Sequence, residues 1–271
     1  MTRKIIIIIS IILIAFGYLL SYGNKKQENY KRIAGKDILV IESTRLGRDN
    51  LGNYFVVSKW DESSFRDLKS KAEKGDIPSQ QMLGYLYLSG DFPNRDLIKA
   101  KYWLQKAADK NNSVAQAQLA YLYQQQGNFN DAEIWYRKSS DNGNFEARNN
   151  LVLLLMDQEV NNHKRINKLE IVSLLESLVK GEYKPAFYTL AWVYLEDDEM
   201  KNEQRGLELL TKAVEYEDVD AEYMLAQLYE EGVLVQKDLD KSKQLYARAA
   251  AKQMPEAINK LNQWRYNSNK P

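Results

Sequence analysis

The sequence predicts an all-α fold, a right-handed α–α superhelical solenoid of about five helical pairs closed by a capping helix. Three observations predict it. Apolar residues recur with the period of a helix, small residues recur at fixed positions, and glycine, proline and asparagine interrupt the segments. The pattern repeats every 32 to 39 residues, which is typical of stacked helical pairs.

Composition fits a folded helical protein and excludes several classes of function. The 271 residues are 44% hydrophobic and 28% charged. The net charge of +1 gives no overall field, so we expect no nucleic-acid partner. The absence of cysteine excludes disulfides, thiol catalysis and thiolate metal sites, and one histidine, His163, cannot build a multi-histidine site. We predict no cofactor, no metal and no small-molecule substrate.

The N-terminal segment, residues 1–24, is predicted to be a targeting or membrane-anchoring segment rather than part of the folded domain. Residues 5–22 form an apolar run of 18 residues after Arg3 and Lys4, long enough as a helix to span a bilayer core. It is either a retained signal-anchor or a cleaved signal peptide. We expect a single-pass inner-membrane protein with its body in the periplasm, the alternative being a cleaved and soluble periplasmic protein.

A polar linker and a small β-hairpin are predicted within residues 25–61. The runs at residues 37–43 and 54–57 favour strands, and the stretch between them is rich in turn residues. A lone hairpin is marginal in water, so we expect it to dock on the first helices or on a partner. The solenoid then occupies residues 62–271, and its first helix spans about residues 62–74.

Small residues open the predicted first helices of the repeats, and a leucine follows each of them four positions later. These pairs are Ser79 and Leu83, Ala115 and Leu119, Ala147 and Leu151, Ala186 and Leu190, Ala221 and Leu225, Ala257 and Leu261. A small pair ends most second helices, and its first member precedes the next opening residue by eight positions. Small side chains let two helices approach closely, so they mark the crossings. Tyrosines fill the wedge beside the crossings: Tyr87, Tyr123, Tyr194 and Tyr229.

The third pair departs from this pattern. Val152 and Leu178 stand where small residues are expected, and a long connection, residues 157–168, joins its two helices. We therefore expect these helices to sit further apart than those of the other pairs.

The repeated unit resembles the Sel-like repeat, a relative of the tetratricopeptide repeat. The residues that carry the resemblance are Leu83-Gly84-Tyr85-Leu86-Tyr87, Gly90, Asp96, Lys99-Ala100, Trp103 and Lys106-Ala107-Ala108. The unit around Ala221 repeats them, and the resemblance covers about residues 62–266. It implies an α-solenoid of the membrane-anchored bacterial type that binds other proteins without catalysis of its own.

Three polar clusters are candidates for chemistry, and each has a plainer interpretation. His163 lies in a polar loop with no nucleophile beside it, which favours a surface histidine. Glu196-Asp197-Asp198-Glu199 carries oxygen ligands suited to Ca²⁺ but lacks the spacing of a calcium loop, so we favour a solvated acidic turn. The acidic residues at 215–220 have the same interpretation. A cell-wall enzyme is thus the disfavoured alternative.

Residues of the predicted inner surface are the candidate partner-binding site. First helices line the inner surface of such stacks, and positions two before and two after the leucines point there. The candidates are Gln81, Tyr85, Tyr121, Tyr188, Trp192 and Tyr223. They either fill gaps between successive first helices or form a binding groove, since Tyr and Trp dominate binding hot spots.

These observations predict a non-catalytic protein-binding scaffold in the bacterial envelope. Its most concrete form is an immunity-type protein that binds and neutralises a periplasmic toxin effector. An envelope adaptor that assembles or regulates a membrane or secretion complex is the alternative within the binding class. Contact with the inner membrane is expected through residues 5–22.

Overall fold

The computed structural model describes residues 46–48, 54–56, 62–90, 95–162 and 167–268. Within these residues lie two short strands, β1 (Leu46–Arg48) and β2 (Tyr54–Val56). The helices are α1 (Glu62–Glu73), α2 (Ile77–Ser89), α3 (Leu97–Ala108), α4 (Ser113–Gln125), α5 (Phe129–Asp141), α6 (Phe145–Asn162), α7 (Lys168–Lys180), α8 (Pro185–Glu196), α9 (Glu203–Glu215), α10 (Val219–Glu231), α11 (Leu239–Ala251) and α12 (Pro255–Ser268). The predicted all-α solenoid fold is confirmed.

The strand pair differs from the predicted hairpin. The strands β1 and β2 are antiparallel, with Gly47 opposite Phe55. The second strand lies in a run predicted as a strand, whereas the first lies in the stretch predicted as the turn. The run at residues 37–43 and the linker before it lie outside the described residues, and so does His163. The hairpin as predicted is therefore not supported.

The predicted localisation, a single-pass inner-membrane protein with its body in the periplasm, is corrected by the helices of the structure. Across residues 62–90, 95–162 and 167–268, every helix is too short or too polar to cross a bilayer. The apolar run at residues 5–22, on which that prediction rested, lies outside the described part of the chain.

Helices pack on their neighbours in sequence within two compact units, Met1–Arg165 and Ile166–Pro271. The boundary falls in the connection of the third pair, so α6 and α7 belong to different units. Val152 on α6 and Leu178 on α7 are fully buried. The large residues at these two positions are thus core residues rather than gaps in the packing.

A three-residue segment of constant geometry, here called the junction, lies between each second helix and the next first helix, and also between α1 and α2. Its middle residue has a left-handed backbone: Gly75, Asn111, Gly143, Glu182, Glu217 and Gln253. The amide of its third residue donates to the carbonyl oxygen five positions earlier, as Asn112 does to Ala107 at 3.2 Å and Asp218 to Ala213 at 3.0 Å. This is the hydrogen bond that closes a helix whose terminal residue is left-handed.

The same junction explains the constant spacing of eight in the sequence. In four of the six junctions the third residue is Asp or Asn, and its side chain caps the next helix by accepting the amide hydrogen of the opening residue three positions later. Asn112 accepts from Ala115 at 2.8 Å, and Asp218 accepts from Ala221 at 2.9 Å. The third junction residue thus lies five positions after the small residue and three positions before the opening residue, which gives the fixed interval of eight.

In four of the five pairs, one backbone hydrogen bond fixes where the loop between the two helices ends, although the loops differ in length. The amide of the residue before the second helix donates to the carbonyl oxygen of the wedge tyrosine. The bonds are Asp96 to Tyr87 at 2.9 Å, Asn128 to Tyr123 at 3.0 Å, Asn202 to Tyr194 at 2.8 Å and Asp238 to Tyr229 at 2.9 Å. Loop length therefore varies without changing where the second helix begins.

Small residues stand where the two helices of a pair touch, as predicted. A Cβ atom added to Gly84 on α2 would lie 2.7 Å from Cγ of Leu104 on α3. In the pair of α8 and α9, a Cβ atom on Gly206 would lie 2.6 Å from Cγ of Leu195. Both approaches are closer than any side chain permits, so glycine is required at these crossings.

Candidate protein-binding surface

In the first unit, two of the predicted surface residues, Gln81 and Tyr85, are wholly or partly buried. Gln81 is only 8% exposed, and its Nε2 donates to Oε1 of Gln118 at 2.8 Å. That bond joins α2 to α4, two successive first helices. Tyr85, one turn further along α2, is partly buried. Gln81 thus fills the gap between first helices, which is one of the two predicted alternatives.

Tyr121 on α4 is the exposed aromatic of this unit. It keeps 39% of its surface exposed. Its hydroxyl accepts a hydrogen bond from Nε2 of Gln125 at 2.5 Å, and Oε1 of Gln125 accepts from Arg95 at 2.8 Å. The ring is therefore held in place by a polar chain that reaches the loop before α3.

In the second unit, three aromatic residues share the first helices. Tyr188 and Trp192 lie one turn apart on α8, and Tyr223 lies on α10; all three are partly exposed. Tyr223 packs edge-on against the ring of Tyr246, with 5.3 Å between the ring centroids. Tyr246 is fully buried on α11. One edge of the Tyr223 ring thus packs in the core, while part of the side chain remains exposed to solvent.

Within the acidic stretch at residues 215–220, Glu215 and Glu217 are exposed, as predicted for a solvated turn, whereas Asp220 is buried. Asp218 caps the helix by accepting from the amides of Asp220 at 3.1 Å and Ala221 at 2.9 Å. Burial raises the pKa of its carboxyl. Asp220 is only 8% exposed and Glu222 is fully buried. Asp220 and Glu222 are therefore buried in the second unit, whereas Asp218 remains partly exposed.

Asp220 lies in the first turn of α10, the helix that carries Tyr223. Burial raises its pKa to about 7, and the charges of Asp218 and Glu256 add to the effect. Burial, followed by the negative charge of Asp220, likewise raises the pKa of the Tyr188 phenol. Tyr223 stands three positions after Asp220, on the same face of α10.

Glu222 has a different environment from Asp220. Its Oε1 accepts from Arg248 at 2.6 Å and from Lys252 at 2.8 Å. Arg248 also donates to the carbonyl oxygen of Val214, and Lys252 to that of Glu217. Glu222 therefore positions two cations over the C-terminal end of α9, where the helix dipole favours positive charge.

The acidic turn at residues 196–199 is held by its own contacts. Asp197 pairs with Lys168 at 2.8 Å, and its Oδ1 accepts from the amides of Glu199 at 2.9 Å and Met200 at 3.2 Å. Among the residues that the structure describes, no group of His, Asp and Glu side chains is arranged to hold a metal ion.

Asp220 and Glu256 were missed as surface residues by sequence reasoning, although a signal for Asp220 exists. The constant junction identifies Asp218 as the capping residue, so Asp220 must fall in the first turn of α10. A residue three positions before Tyr223 then shares its face. The spacing that located the repeats could therefore have located this carboxyl group.

Comparison with known families supports the repeat assignment. The family model described as Sel1 repeat matches residues 77–112, 113–144, 188–215 and 219–254. The third pair of the sequence pattern, which departs from the consensus, falls between the second and third of these matches. Sel1-like repeat-containing protein L21 of Acanthamoeba polyphaga mimivirus is 30% identical over 76 residues, which are 28% of this chain and 14% of that protein.

Two solved structures share the fold. The protective antigen c5321 of uropathogenic Escherichia coli, which displays an SLR fold, is 25% identical with a TM-score of 0.65, over 75% of this chain and 44% of that one. A Sel1 repeat protein from Oxalobacter formigenes is 19% identical with a TM-score of 0.61, over 75% of this chain and 89% of that one. The chain thus spans less than half the length of c5321 and a small part of L21. Its four matched repeats and its helical stack show that this chain belongs to the Sel1-repeat proteins.

Proposed function

We propose that this chain is a non-catalytic scaffold that binds another protein through the aromatic surface of its second unit. The observation that carries the proposal is the partial exposure of Tyr188, Trp192 and Tyr223 on successive first helices. In contrast, the core tyrosines Tyr136 and Tyr246 are at most 1% exposed. Partly exposed aromatic residues on rigid helices supply large contact area at little entropic cost on binding, and they dominate hot spots.

The acidic character of the second unit favours a basic partner surface. Residues 166–271 contain more Asp and Glu than Lys and Arg. Asp220 and Glu256 lie beside the aromatic residues. Opposite charges on the two surfaces accelerate association and exclude wrongly charged partners. A surface with aromatic anchors and carboxyl groups therefore suits a protein that presents lysine or arginine.

The specific form that we propose is an immunity-type protein that captures and neutralises a toxin. A toxin must be bound tightly and stoichiometrically, and a preformed surface on packed helices loses little conformational entropy when it binds. Steric blocking by such a surface requires no catalytic group in the immunity protein. The proposal concerns the binding activity alone and assigns no cellular location.

The experiment pairs the chain with a candidate toxin encoded beside its gene. Both proteins are co-expressed, cell survival is scored, and the affinity of the purified pair is measured by calorimetry. We expect rescue by the native chain and at least a tenfold weaker complex for Trp192→Ala. Tyr266→Ala, at an exposed aromatic on α12 (67% exposed), is the matched control and should rescue fully. If both variants bind like the native chain, the aromatic surface of the second unit is not the binding site.

A further inference from the structure

A cavity of about 330 Å³ opens in the first unit, beside the junction between α3 and α4 and against α5. The side chains on which its chemistry depends are those of Asp109, Gln116, Trp135, Lys138, Asp141 and Asn142. Gln116 is buried, with 1% of its surface exposed, and its Nε2 donates to the carbonyl oxygen of Ala108 at 3.1 Å. Its Oε1 accepts from Nδ2 of Asn142 at 2.8 Å. The amide groups that line the cavity are therefore fixed in place.

Two carboxylates and an aromatic ring give this cavity an affinity for cations. Oδ1 of Asp109 accepts from Nε2 of Gln105 at 2.7 Å, which leaves its Oδ2 open. The carboxylate of Asp141 makes no hydrogen bond or ion pair within the described residues. Trp135 is partly exposed, and Nζ of Lys138 lies 4.1 Å from the centroid of its ring. The ring thus already attracts one cation, and two carboxylates stand against that single lysine.

The equivalent place in the second unit holds a guanidinium group of the chain itself. Nη2 of Arg248 donates to Oε1 of Glu222 at 2.6 Å and to the carbonyl oxygen of Val214 at 3.3 Å. The residues at the same repeat positions in the first unit are Gln116 and Ala108, and both line the cavity. The first unit therefore leaves open the place where the second unit packs its own arginine.

Lys138 stands at the repeat position of Arg248, directly before the small residue that ends its helix. Its ammonium group lies over the ring of Trp135 instead. Because Lys138 is exposed, its ammonium group can move from the ring into water at little cost. A guanidinium group is planar, weakly hydrated and rich in donors, so it suits a ring beside carboxylates better than an ammonium group does. We expect an incoming guanidinium group to displace Lys138 from the ring.

Other ligands suit this cavity less well. A hard cation such as Ca²⁺ takes six to eight oxygen ligands, and in the described part of the chain no three His, Asp or Glu side chains are placed to hold a metal ion. An anion would meet the carboxylates of Asp109 and Asp141, with Lys138 as its one favourable charge. The lining residues thus favour an organic cation.

We propose that this cavity is a subsite for an arginine side chain of a bound protein, held by Asp109 and Asp141 and stacked on Trp135. The inference rests on the proposed protein-binding function and adds to it an anchor on the first unit. The guanidinium group forms charge-assisted hydrogen bonds with the carboxylates, and the ring contacts its planar face. The subsite discriminates against partners that present an acidic residue at this point, since the two carboxylates repel it.

The test uses the isotope-labelled full chain and three peptides, acetyl-Gly-Ser-X-Ser-Gly-amide, in which X is arginine, citrulline or glutamate. Citrulline has the shape of arginine without its charge. The indole resonance of Trp135, identified by its loss in Trp135→Phe, and the side-chain amide resonances of Asn142 are followed by NMR at pH 7. We expect saturable shifts with the arginine peptide and at least tenfold weaker binding of the citrulline peptide.

Two variants should change the affinity for the arginine peptide in opposite directions. Asp141→Asn should weaken binding by at least fivefold, because it removes a carboxylate that the guanidinium group contacts. Lys138→Gln should strengthen binding by at least threefold, because it removes the cation that competes for the ring. Lys110→Gln, at an exposed lysine of the same junction, controls for the change in charge and should have a smaller effect. Asp240→Asn, at an exposed carboxylate on α11, should leave binding unchanged.

Several results would overturn the subsite. Equal shifts from the citrulline or glutamate peptide would show that charge is not recognised, and this comparison needs no variant. Unchanged binding by a folded Asp141→Asn variant, or weaker binding by Lys138→Gln, would contradict the assigned roles of these residues. Tighter binding of free L-arginine than of the peptide would identify a small-molecule site instead. If the arginine peptide fails to bind while Trp192→Ala still abolishes toxin capture, the subsite is wrong and the proposed function stands; if the peptide binds while Trp192→Ala has no effect on capture, the reverse holds.

Discussion

The hydroxyl of Tyr246 on α11 donates a hydrogen bond to Oε2 of Glu230 on α10, at 3.0 Å. The equivalent residues of the second pair repeat it, since the hydroxyl of Tyr136 donates to Oε1 of Gln124 at 2.9 Å. The other two matched pairs have leucine at both positions, Leu88 with Leu104 and Leu195 with Leu210, and all four are buried. A buried tyrosine thus occurs where an acceptor stands opposite, and leucine where none does.

This pairing predicts an energetic coupling between Tyr136 and Gln124. Gln124→Leu leaves the hydroxyl of Tyr136 without its acceptor and should cost about 1–3 kcal/mol of unfolding free energy. In a chain that already carries Tyr136→Phe, the same Gln124→Leu change should cost about 1 kcal/mol less. Urea unfolding of the four proteins measures the coupling. Strict additivity would show that the hydrogen bond contributes nothing to stability.

The buried ion triad of the second unit predicts an asymmetric response to mutation. Glu222 is fully buried, whereas the side chains of Arg248 and Lys252 are 47% and 30% exposed. Removing both cations leaves a buried charge uncompensated, and we expect a loss of about 3–5 kcal/mol for Arg248→Ala with Lys252→Ala. Glu222→Gln leaves two cations that water can solvate and should cost less. Thermal unfolding compares the variants, and a larger loss for Glu222→Gln would contradict the assignment.

The close approach of α2 and α3 predicts that Gly84 tolerates no side chain. A Cβ atom there would lie 2.7 Å from Cγ and 2.9 Å from the backbone nitrogen of Leu104. We expect Gly84→Ala to destabilise the chain by about 1–3 kcal/mol, because the helices must separate. Gly143→Ala is the control. It meets no atom within 4 Å but has a φ of 83°, and it should cost about 1 kcal/mol through backbone strain alone.

The raised pKa of Asp220 predicts that the free energy of unfolding falls as the pH rises. Its pKa is about 7 in the folded chain against an ordinary value of 3.8. The folded state therefore holds the proton more tightly, and stability falls as pH rises from about 4 to about 7. Asp220→Asn should remove this fall and stabilise the chain at pH 8, by up to about 4 kcal/mol. Urea unfolding between pH 4.5 and pH 8 measures both effects. A parallel pH profile for the variant would contradict burial of the charge.

Much of the fold could be predicted from the sequence because the repeats carry strong local signals. The residues that form a junction lie close together in the sequence. A small residue, a left-handed residue and a capping Asn or Asp fall within eight positions, as in Ala107, Asn111 and Asn112. The division of the chain into two units between α6 and α7 is indicated in the sequence only by the long connection of the third pair. That boundary depends on how the helices of a whole unit pack, which the local sequence pattern does not predict.

The candidate surface was predicted less completely. The helical period puts Tyr188 and Trp192 on one face of α8, because that period depends on the helix alone. Gln118, Asp220 and Glu256 were missed, since the contacts of these residues depend on which helix lies opposite. Polar residues in acidic runs are usually solvated, and only the tertiary packing of the second unit overrides that expectation for Asp220 and Glu222.

The central claim is that the aromatic surface of the second unit binds protein rather than completing the core, and Trp192 tests it most directly. The melting temperature of Trp192→Ala and its affinity for a captured toxin are measured beside those of Tyr246→Ala, at a fully buried ring. We expect at least a tenfold loss of affinity for Trp192→Ala with a nearly native melting temperature. Tyr246→Ala should lower the melting temperature sharply, since truncating a core aromatic costs about 3–5 kcal/mol. Unfolding of Trp192→Ala to the same extent as Tyr246→Ala would show that Trp192 is a core residue and would contradict the account.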